Sequence, residues 1–276
     1  MARALRILFS GAIYHVTSRG NAKQDVYIDD NDRTLFLDIL DKCVKRYGFI
    51  IHAFCLMDNH YHLLIETPDG NLSDGMRHIN QVYTQKFNWR HNRVGHLFQG
   101  RFKAAMIEQD SHLLEVIRYV VNNPVRAGYV ESPSDYHWSS YRQTAGMSRG
   151  FGWLTTSWVL EQFSGTKGQK QNQYAQFVNE DMEGKMKDEF AIGGKSFAQI
   201  LSEYAWESDP IEAIPQKQRA VGRPPLKAIF GEVKDKHVRN ERIVEAHIDF
   251  GYSEREIAWH LNMHRSSISR IVLAAN

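Results

Sequence analysis

Short apolar runs separated by polar turn residues in the first part of the chain predict β-strands. Residues 12–18 are rich in β-branched and aromatic side chains and end at the turn signal Arg19-Gly20-Asn21. Residues 49–56 and 60–67 form two further β-prone runs, and the Asp58-Asn59 pair between them is typical of a turn. We therefore expect these two runs to pair as a β-hairpin.

Apolar residues at helical spacing predict two helices beside these strands. The first is capped within Asp30-Asn31-Asp32 and ends at Gly48, and the second begins near Ser73. A further strand is expected at residues 102–108, after the second helix.

Two histidines, His60 and His62, lie at the start of the second run of the hairpin. Alternate side chains of a strand point to the same face, so the two imidazoles can be offered to one cation. The other interpretation is that they are ordinary hydrogen-bonded strand residues, because an isolated His-x-His pair is a weak signal.

A third helix is predicted from Ser111 to Asn123, because Pro124 disfavours helix in the residue before it. Its apolar stripe consists of Leu113, Leu114, Ile117, Val120 and Val121. Tyr119 and Asn123 lie one turn apart on the opposite, polar side, together with His112 and Glu115. A surface tyrosine is common on helices and an asparagine often ends one, so this pair alone assigns no chemistry.

Length and composition indicate a soluble protein of more than one domain. The chain has 276 residues, and about 150 residues form a typical domain. Its apolar runs are shorter than the ~18 residues that a membrane span needs, so we expect a cytoplasmic protein without membrane contact. Its two cysteines, Cys43 and Cys55, are expected to be reduced core residues.

Basic residues are concentrated in two parts of the sequence. Lys and Arg exceed Asp and Glu slightly in residues 1–150 and 216–276, whereas residues 151–215 are acidic. Two basic modules around an acidic one suit a nucleic-acid-binding protein, although random scatter would give similar balances. Aromatic and basic side chains interleave after the second helix, which suits single-stranded DNA. The predicted DNA contacts there are Arg90, Arg93, Arg101 and Lys103.

The last 61 residues predict a helix-turn-helix. A helix over Val238–Phe250 precedes a second that opens with the capping box Ser253 to Glu256. Asn262 can adopt the left-handed conformation of a turn before a third helix, His264–Val272. A plain helical hairpin is the alternative. We favour DNA binding, because the third helix carries a polar set suited to phosphates and base edges: Arg265, Ser266, Ser267, Ser269 and Arg270.

Four ordered motifs resemble those of the single-tyrosine HUH transposases, and specifically the REP-associated tyrosine transposases. They are Tyr14-His15-Val16-Thr17-Ser18-Arg19-Gly20-Asn21, Met57-Asp58-Asn59-His60-Tyr61-His62, Phe98-Gln99-Gly100-Arg101-Phe102 and Tyr119-Val120-Val121-Asn122-Asn123-Pro124-Val125-Arg126-Ala127-Gly128. The resemblance implies an α+β fold, with a ferredoxin-like nuclease domain built on a central antiparallel sheet. Tyr61 departs from the family pattern, in which the middle residue of the triplet is usually aliphatic.

By motif position, the resemblance gives Tyr119 the role of the nucleophile and His60, His62 and Asn123 the role of metal ligands. It implies Mg²⁺ or Mn²⁺ as the cofactor. Phosphodiester cleavage needs charge neutralised on the non-bridging oxygens and an in-line nucleophile, which this set can provide. The tail resembles the C-terminal DNA-binding domain of the replication initiator DnaA.

We therefore expect a nuclease domain in residues 1–145, a helical region in 146–215 with helices at 158–163, 173–178 and 196–205, and a helix-turn-helix domain in 216–276. The expected function is cleavage and rejoining of single-stranded DNA through a 5′-phosphotyrosine. The expected partners are repeat-associated DNA hairpins, duplex DNA for the tail, and a second copy in a homodimer. A cupin metal site is excluded because Phe54 stands where that motif needs glycine. A non-catalytic DNA-binding regulator with a transposase fold remains the alternative.

Overall fold

The computed structural model describes residues 8–180, 191–192, 226–231, 235–248, 252 and 254–274, without the side chains of residues 109–111 and 191–192. The described residues fall into two compact units, one within Leu8–Gly193 and one within Gly194–Asn276. No helix in these ranges is long and apolar enough to cross a membrane. Cys43 and Cys55 are buried free thiols, as predicted.

A central sheet organises the first unit. Its strands are β1 (Ala12–Arg19), β2 (Ile50–Met57), β3 (His60–Thr67) and β4 (Lys103–Ile107), in the order β2-β3-β1-β4 with antiparallel neighbours. The short β5 (Ala191–Ile192) pairs in parallel with β4. The predicted antiparallel sheet and its hairpin are therefore confirmed.

Two helices connect these strands in ferredoxin-like order. Helix α1 (Asp30–Tyr47) lies between β1 and β2, and α2 (Leu72–Arg90) lies between β3 and β4. The cap of α1 is Asp29, one residue before the predicted group, because its carboxylate accepts the backbone N–H of Asp32. The helix ends as predicted at Gly48, whose φ of 67° suits glycine.

The two faces of the sheet are covered by different helices, because side chains alternate along β3. Tyr61 points toward α1 and α2, where its hydroxyl donates to Asn80 Oδ1 at 2.7 Å and its ring packs on Phe36. Leu64 belongs to the core on the opposite face, under α3 (Gln109–Val121). His60 and His62 therefore share the face that α3 covers.

Further short helices extend this second face. The chain turns after α3 into α4 (Asn123–Arg126), and α5 (Tyr141–Thr144), α6 (Ser157–Glu161) and α7 (Lys167–Asn179) follow. Short 3₁₀ turns form at Asn21–Lys23 and Pro133–Asp135. Val159, Leu160, Tyr174 and Val178 bury their side chains in the core beneath α3. The helices predicted at residues 158–163 and 173–178 are thus present, and the one predicted at 196–205 lies outside the described residues.

Gly20 shapes the connection between β1 and the hairpin turn. A Cβ at this position would lie 1.9 Å from the carbonyl oxygen of Gln24, so a larger residue does not fit. Its N–H donates to the carbonyl of Asn59 at 2.8 Å, and its backbone pairs with Phe98. The glycine therefore lets three segments meet directly before His60.

The second unit contains α8 (Leu226–Phe230), α9 (Lys236–Ile248), α10 (Glu254–His260) and α11 (Arg265–Leu273). They share a core of their own that includes Ile229, Phe230, Ile243, Ala246, Tyr252, Ile257, Ala258, Ile268 and Val272. Asn262 between α10 and α11 has a φ of 50°, the left-handed conformation predicted for it. Ser253 of the predicted capping box lies outside the described residues.

Candidate active site

His60 and His62 lie side by side on β3, as their spacing predicts. Their ring centroids are 4.9 Å apart. His62 faces Thr17 of β1 on one side and Cys55 of β2 on the other, so it occupies the middle of the sheet. His60 stands at the end of the strand, directly after the turn residue Asn59.

The tautomer of His60 is set by its neighbour. Its Nδ1 lies 2.7 Å from Asn59 Oδ1, and because an amide oxygen only accepts, Nδ1 carries the proton and Nε2 keeps a lone pair. Burial lowers the pKa of His60 to about 4, the charge of Arg19 acts in the same direction, and Asp58 opposes them. The ring is therefore neutral at pH 7, the form that binds a metal.

A third histidine, His15 of β1, orients His62. His15 Nε2 and His62 Nδ1 are 2.9 Å apart, and the two rings stack with centroids 5.1 Å apart. When His62 donates in this bond, its Nε2 carries the lone pair. That atom is buried without a hydrogen-bond partner among the described residues. Burial lowers the pKa of His62 well below its usual value, and the charges of His15, His60 and Arg126 reinforce the shift.

Tyr119 of α3 packs edge-on against two of these imidazoles. Its ring centroid lies 5.9 Å from those of His15 and His62. The guanidinium carbon of Arg126 lies 4.7 Å from its centroid on the ring face. Tyr119 is half-buried and Glu115, one helical turn earlier, is exposed, so the predicted polar side of α3 extends from solvent to the histidines.

Asn123 lies at the break between α3 and α4. Its Nδ2 donates to the carbonyls of Tyr119 at 2.9 Å and Val120 at 3.3 Å, which the start of a new turn at Pro124 leaves available. Because the amide nitrogen is used in this way, the carbonyl oxygen Oδ1 is the end of the side chain that remains to bind a cation.

These side chains fit a divalent cation chemically. His60 and His62 each present a neutral Nε2, and the buried, unpartnered Nε2 of His62 is the atom that a ligand would satisfy. Asn123 adds an oxygen donor. Within the described residues no three His, Cys, Asp or Glu side chains cluster around a metal position. The donor set is therefore two imidazoles and an amide, which does not by itself select one metal.

The predicted DNA-contacting residues of the first unit differ in their exposure and in the contacts that they make. Arg90 forms ion pairs with Asp29 and Asp32 at the start of α1. The guanidinium of Arg93 donates to Gln24 at 3.1 Å and lies over Phe87, whereas Arg101 and Lys103 are exposed. Their roles in DNA binding stay predictions, and Arg90 is the one most engaged in holding the fold.

The predicted contacts of the tail all lie on α11. Arg265, Ser266 and Arg270 are exposed, and Ser267 is half-buried. Arg265 pairs with Glu254 at 3.1 Å, and the backbone N–H of Ser266 donates to His264, which caps the helix. These residues lie in a different compact unit from the histidines.

Sequence reasoning gave no role to two residues that contact Tyr119. His15 and Arg126 stand inside motifs that were recognised only as signatures. Arg126 could have been found from its spacing, since seven residues after Tyr119 is nearly two helical turns. His15 needed the register between β1 and β3, which no local pattern provides.

Comparison with known families shows which proteins the first unit is similar to. Residues 9–123 match the family described as "Transposase IS200 like", a span that contains the four antiparallel strands, both strand histidines, Tyr119 and Asn123. This part of the chain is therefore similar to the IS200-like transposases.

One protein and two solved structures are also similar to this chain. The chain is 25% identical over 154 residues to a REP-associated tyrosine transposase of Haemophilus influenzae Rd, covering 52% of this chain and 87% of that protein. The resemblance drawn from the four motifs is thus confirmed. Two solved structures are also similar. One is a REP-associated tyrosine transposase bound to a REP hairpin, with 19% identity, 56% and 98% coverage and a TM-score of 0.46. The other is a transposase from Deinococcus radiodurans R1, with 17% identity, 44% and 96% coverage and a TM-score of 0.31.

Proposed function

We propose that the first unit is a transposase-type endonuclease that cuts and rejoins single-stranded DNA through a 5′-phosphotyrosine on Tyr119. The observation that carries this proposal is the packing of Tyr119 against His15 and His62, beside the lone-pair nitrogens of the HUH pair. A phenol, two neutral imidazoles and an amide oxygen at one end of a sheet are suited to phosphoryl transfer. A non-catalytic DNA-binding regulator would not need these groups at one site.

The reaction exchanges one phosphoester bond for another. The Tyr119 oxygen bonds to phosphorus while the bond from phosphorus to the 3′ oxygen breaks, which leaves a 5′-phosphotyrosine and a 3′-hydroxyl. The phenol proton is released to water and the 3′ oxygen takes one from water, so atoms and charges balance. Rejoining runs the same step backwards with the 3′-hydroxyl of another strand.

His60, His62 and Asn123 would hold the divalent cation, for which we propose Mg²⁺ or Mn²⁺. When bound there it neutralises charge on the non-bridging oxygens of the phosphate. Burial holds both imidazoles neutral, and the hydrogen bonds that they make to Asn59 and His15 orient the two rings. We also propose repeat-associated hairpins as substrates, on the strength of the relatives, with Arg93, Arg101 and Lys103 contacting the strand.

Tyr119→Phe tests the nucleophile, because it removes only the attacking oxygen. Labelled single-stranded DNA from the flanks of the gene, incubated with Mg²⁺ or Mn²⁺, should give a covalent adduct with the wild type and none with the variant, while binding stays within about twofold. The double variant His60→Ala with His62→Ala should also lose cleavage. An adduct that persists in Tyr119→Phe places the nucleophile elsewhere, and binding without cleavage by the wild type favours the non-catalytic regulator.

We further propose that the tail binds duplex DNA through α11. Support comes from the exposed Arg265, Ser266 and Arg270 and from the left-handed turn at Asn262, which lets α11 follow α10 after a short connection. A helix-turn-helix places such a helix in the major groove. The tail would then hold the protein near double-stranded flanks while the first unit acts on an exposed strand.

A further inference from the structure

Arg126 is brought to Tyr119 by the shape of the chain after α3. Tyr119, Asn123 and Arg126 are spaced by four and three residues, so they fall on one side of a nearly continuous helical path. The path continues through the break at Pro124, because the N–H of Arg126 donates to the carbonyl of Asn122 at 3.0 Å. The nucleophile, a cation ligand and a guanidinium therefore line one strip.

Among the described residues the charge of Arg126 has no carboxylate partner, in contrast to four other arginines of the first unit. Arg33, Arg77, Arg90 and Arg118 each lie within ion-pair distance of an aspartate or glutamate. The described residues place no carboxylate within that distance of Arg126, whose side chain is exposed and rests on the Tyr119 ring. Five N–H donors beside the nucleophile are thus available to an anion from outside.

We propose that Arg126 is a catalytic residue that binds the non-bridging oxygens of the phosphate attacked by Tyr119, an inference that rests on the proposed function. Its planar guanidinium donates two parallel hydrogen bonds to a phosphate, a geometry that a lysine cannot reproduce. Because it lies on the ring face of Tyr119, the same contact holds the phosphate after it has become attached to the tyrosine. The positive charge also opposes the negative charge that develops on phosphorus oxygens during transfer.

The first test measures the rate of adduct formation in single turnover with saturating single-stranded DNA. Arg126→Ala should lower this rate about 10²- to 10³-fold, as loss of one preorganised donor does, and Arg126→Lys should recover part of it. Arg77→Ala, which removes a paired arginine from α2 on the other side of the sheet, should stay at the wild-type rate. Equal rates for Arg126→Ala and the wild type overturn the proposal.

A second test separates a phosphate contact from simple support of the tyrosine ring. A methylphosphonate at the cleavage position removes the charge of one non-bridging oxygen. Arg126→Ala should therefore lower the rate of adduct formation by a much smaller factor with that substrate than with the natural one. If Arg126 only supports the tyrosine ring, Arg126→Ala should lower the rate by the same factor with both substrates, and that result overturns the proposal.

A third measurement does not depend on cleavage. In the Tyr119→Phe background, the slope of log affinity for uncut single-stranded DNA against log salt should fall by about 0.7 when Arg126 becomes Ala. If no variant cleaves DNA but the slope falls, the proposed function fails while the phosphate contact stands. An unchanged slope overturns the contact even if the wild type cleaves.

Discussion

At the scale of single residues, the site depends on a contact between strands. His15 pairs in register with Leu64 and His62 with Thr17, so the two histidines are diagonal neighbours on one face of the sheet. Alternation along β3 was enough to predict that His60 and His62 share a face. The contact with His15 could not be predicted in this way, because it depends on how β1 and β3 align.

The first residue-scale prediction concerns His15 and the metal. His15→Leu removes the group that orients the His62 ring, so affinity for Mn²⁺ should fall about 10- to 100-fold, the usual effect of losing such a partner. Calorimetric titration of the metal-free protein measures this without any DNA. The circular dichroism spectrum should remain that of the wild type.

Two variants make the His15 result specific. His15→Gln can still hydrogen-bond to His62 Nδ1 and should recover much of the affinity. His78→Leu removes a histidine that contacts Tyr47 on the other face of the sheet, and it should leave affinity unchanged. If His15→Leu binds Mn²⁺ as tightly as the wild type, His15 does not orient a metal ligand.

At the scale of elements, polar groups at helix ends join α1 to α2. The fully buried Asp32 near the start of α1 contacts both Arg90 and His91 at the end of α2. The sequence predicted a cap at the start of α1 and basic residues in α2, each from local pattern. It could not show that Arg90 reaches a carboxylate some 58 positions earlier in the chain, because that contact needs the two helices packed together.

Arg90→Ala is therefore expected to destabilise the fold. It leaves the carboxylate of Asp32 buried with fewer partners, which should lower the free energy of unfolding by more than a surface substitution does. Urea unfolding of the metal-free protein measures the change. The matched Arg93→Ala should change it by less than about 0.5 kcal/mol, because Arg93 has no carboxylate partner among the described residues.

The same variant has an expected pH signature. Hydrogen bonds from Arg90 hold the pKa of Asp29 well below its usual range. The folded state therefore keeps this carboxylate charged where the unfolded chain already takes up protons, so the pair stabilises above a pH of about 4 and loses its effect as pH falls below. Arg90→Ala should reduce this loss on acidification. An identical acid profile in the two proteins would contradict a stabilising ion pair.

At the scale of the whole molecule, the first compact unit continues past the boundary predicted after residue 145. Helix α7 packs beneath α3, and Asn122 donates to the carbonyl of Val178 at 2.7 Å, next to the candidate site. Local composition cannot reveal a contact between residues that are 56 positions apart in the sequence. The sequence therefore predicted the sheet and the tail helices but not the packing of α7 beneath α3. The predicted three-part division stays a prediction about function.

The tail gives the whole-molecule prediction, because the two units need different forms of the target. In the full chain, Arg265→Ala with Arg270→Ala should weaken binding to duplex DNA from the gene's flanks, by about 1 to 3 kcal/mol for each lost base contact, and leave cleavage of single strands unchanged. Duplex affinity should be measured at several salt concentrations, since lost phosphate contacts also flatten its salt dependence. Arg242→Ala is the matched control, because Arg242 lies on α9 and pairs with Glu245.

Residues 216–276 expressed alone should show the same salt-dependent duplex binding. If the double variant binds duplex DNA as tightly as the wild type does, α11 is not the recognition helix. If the folded fragment does not bind duplex DNA at all, the tail contacts a protein instead.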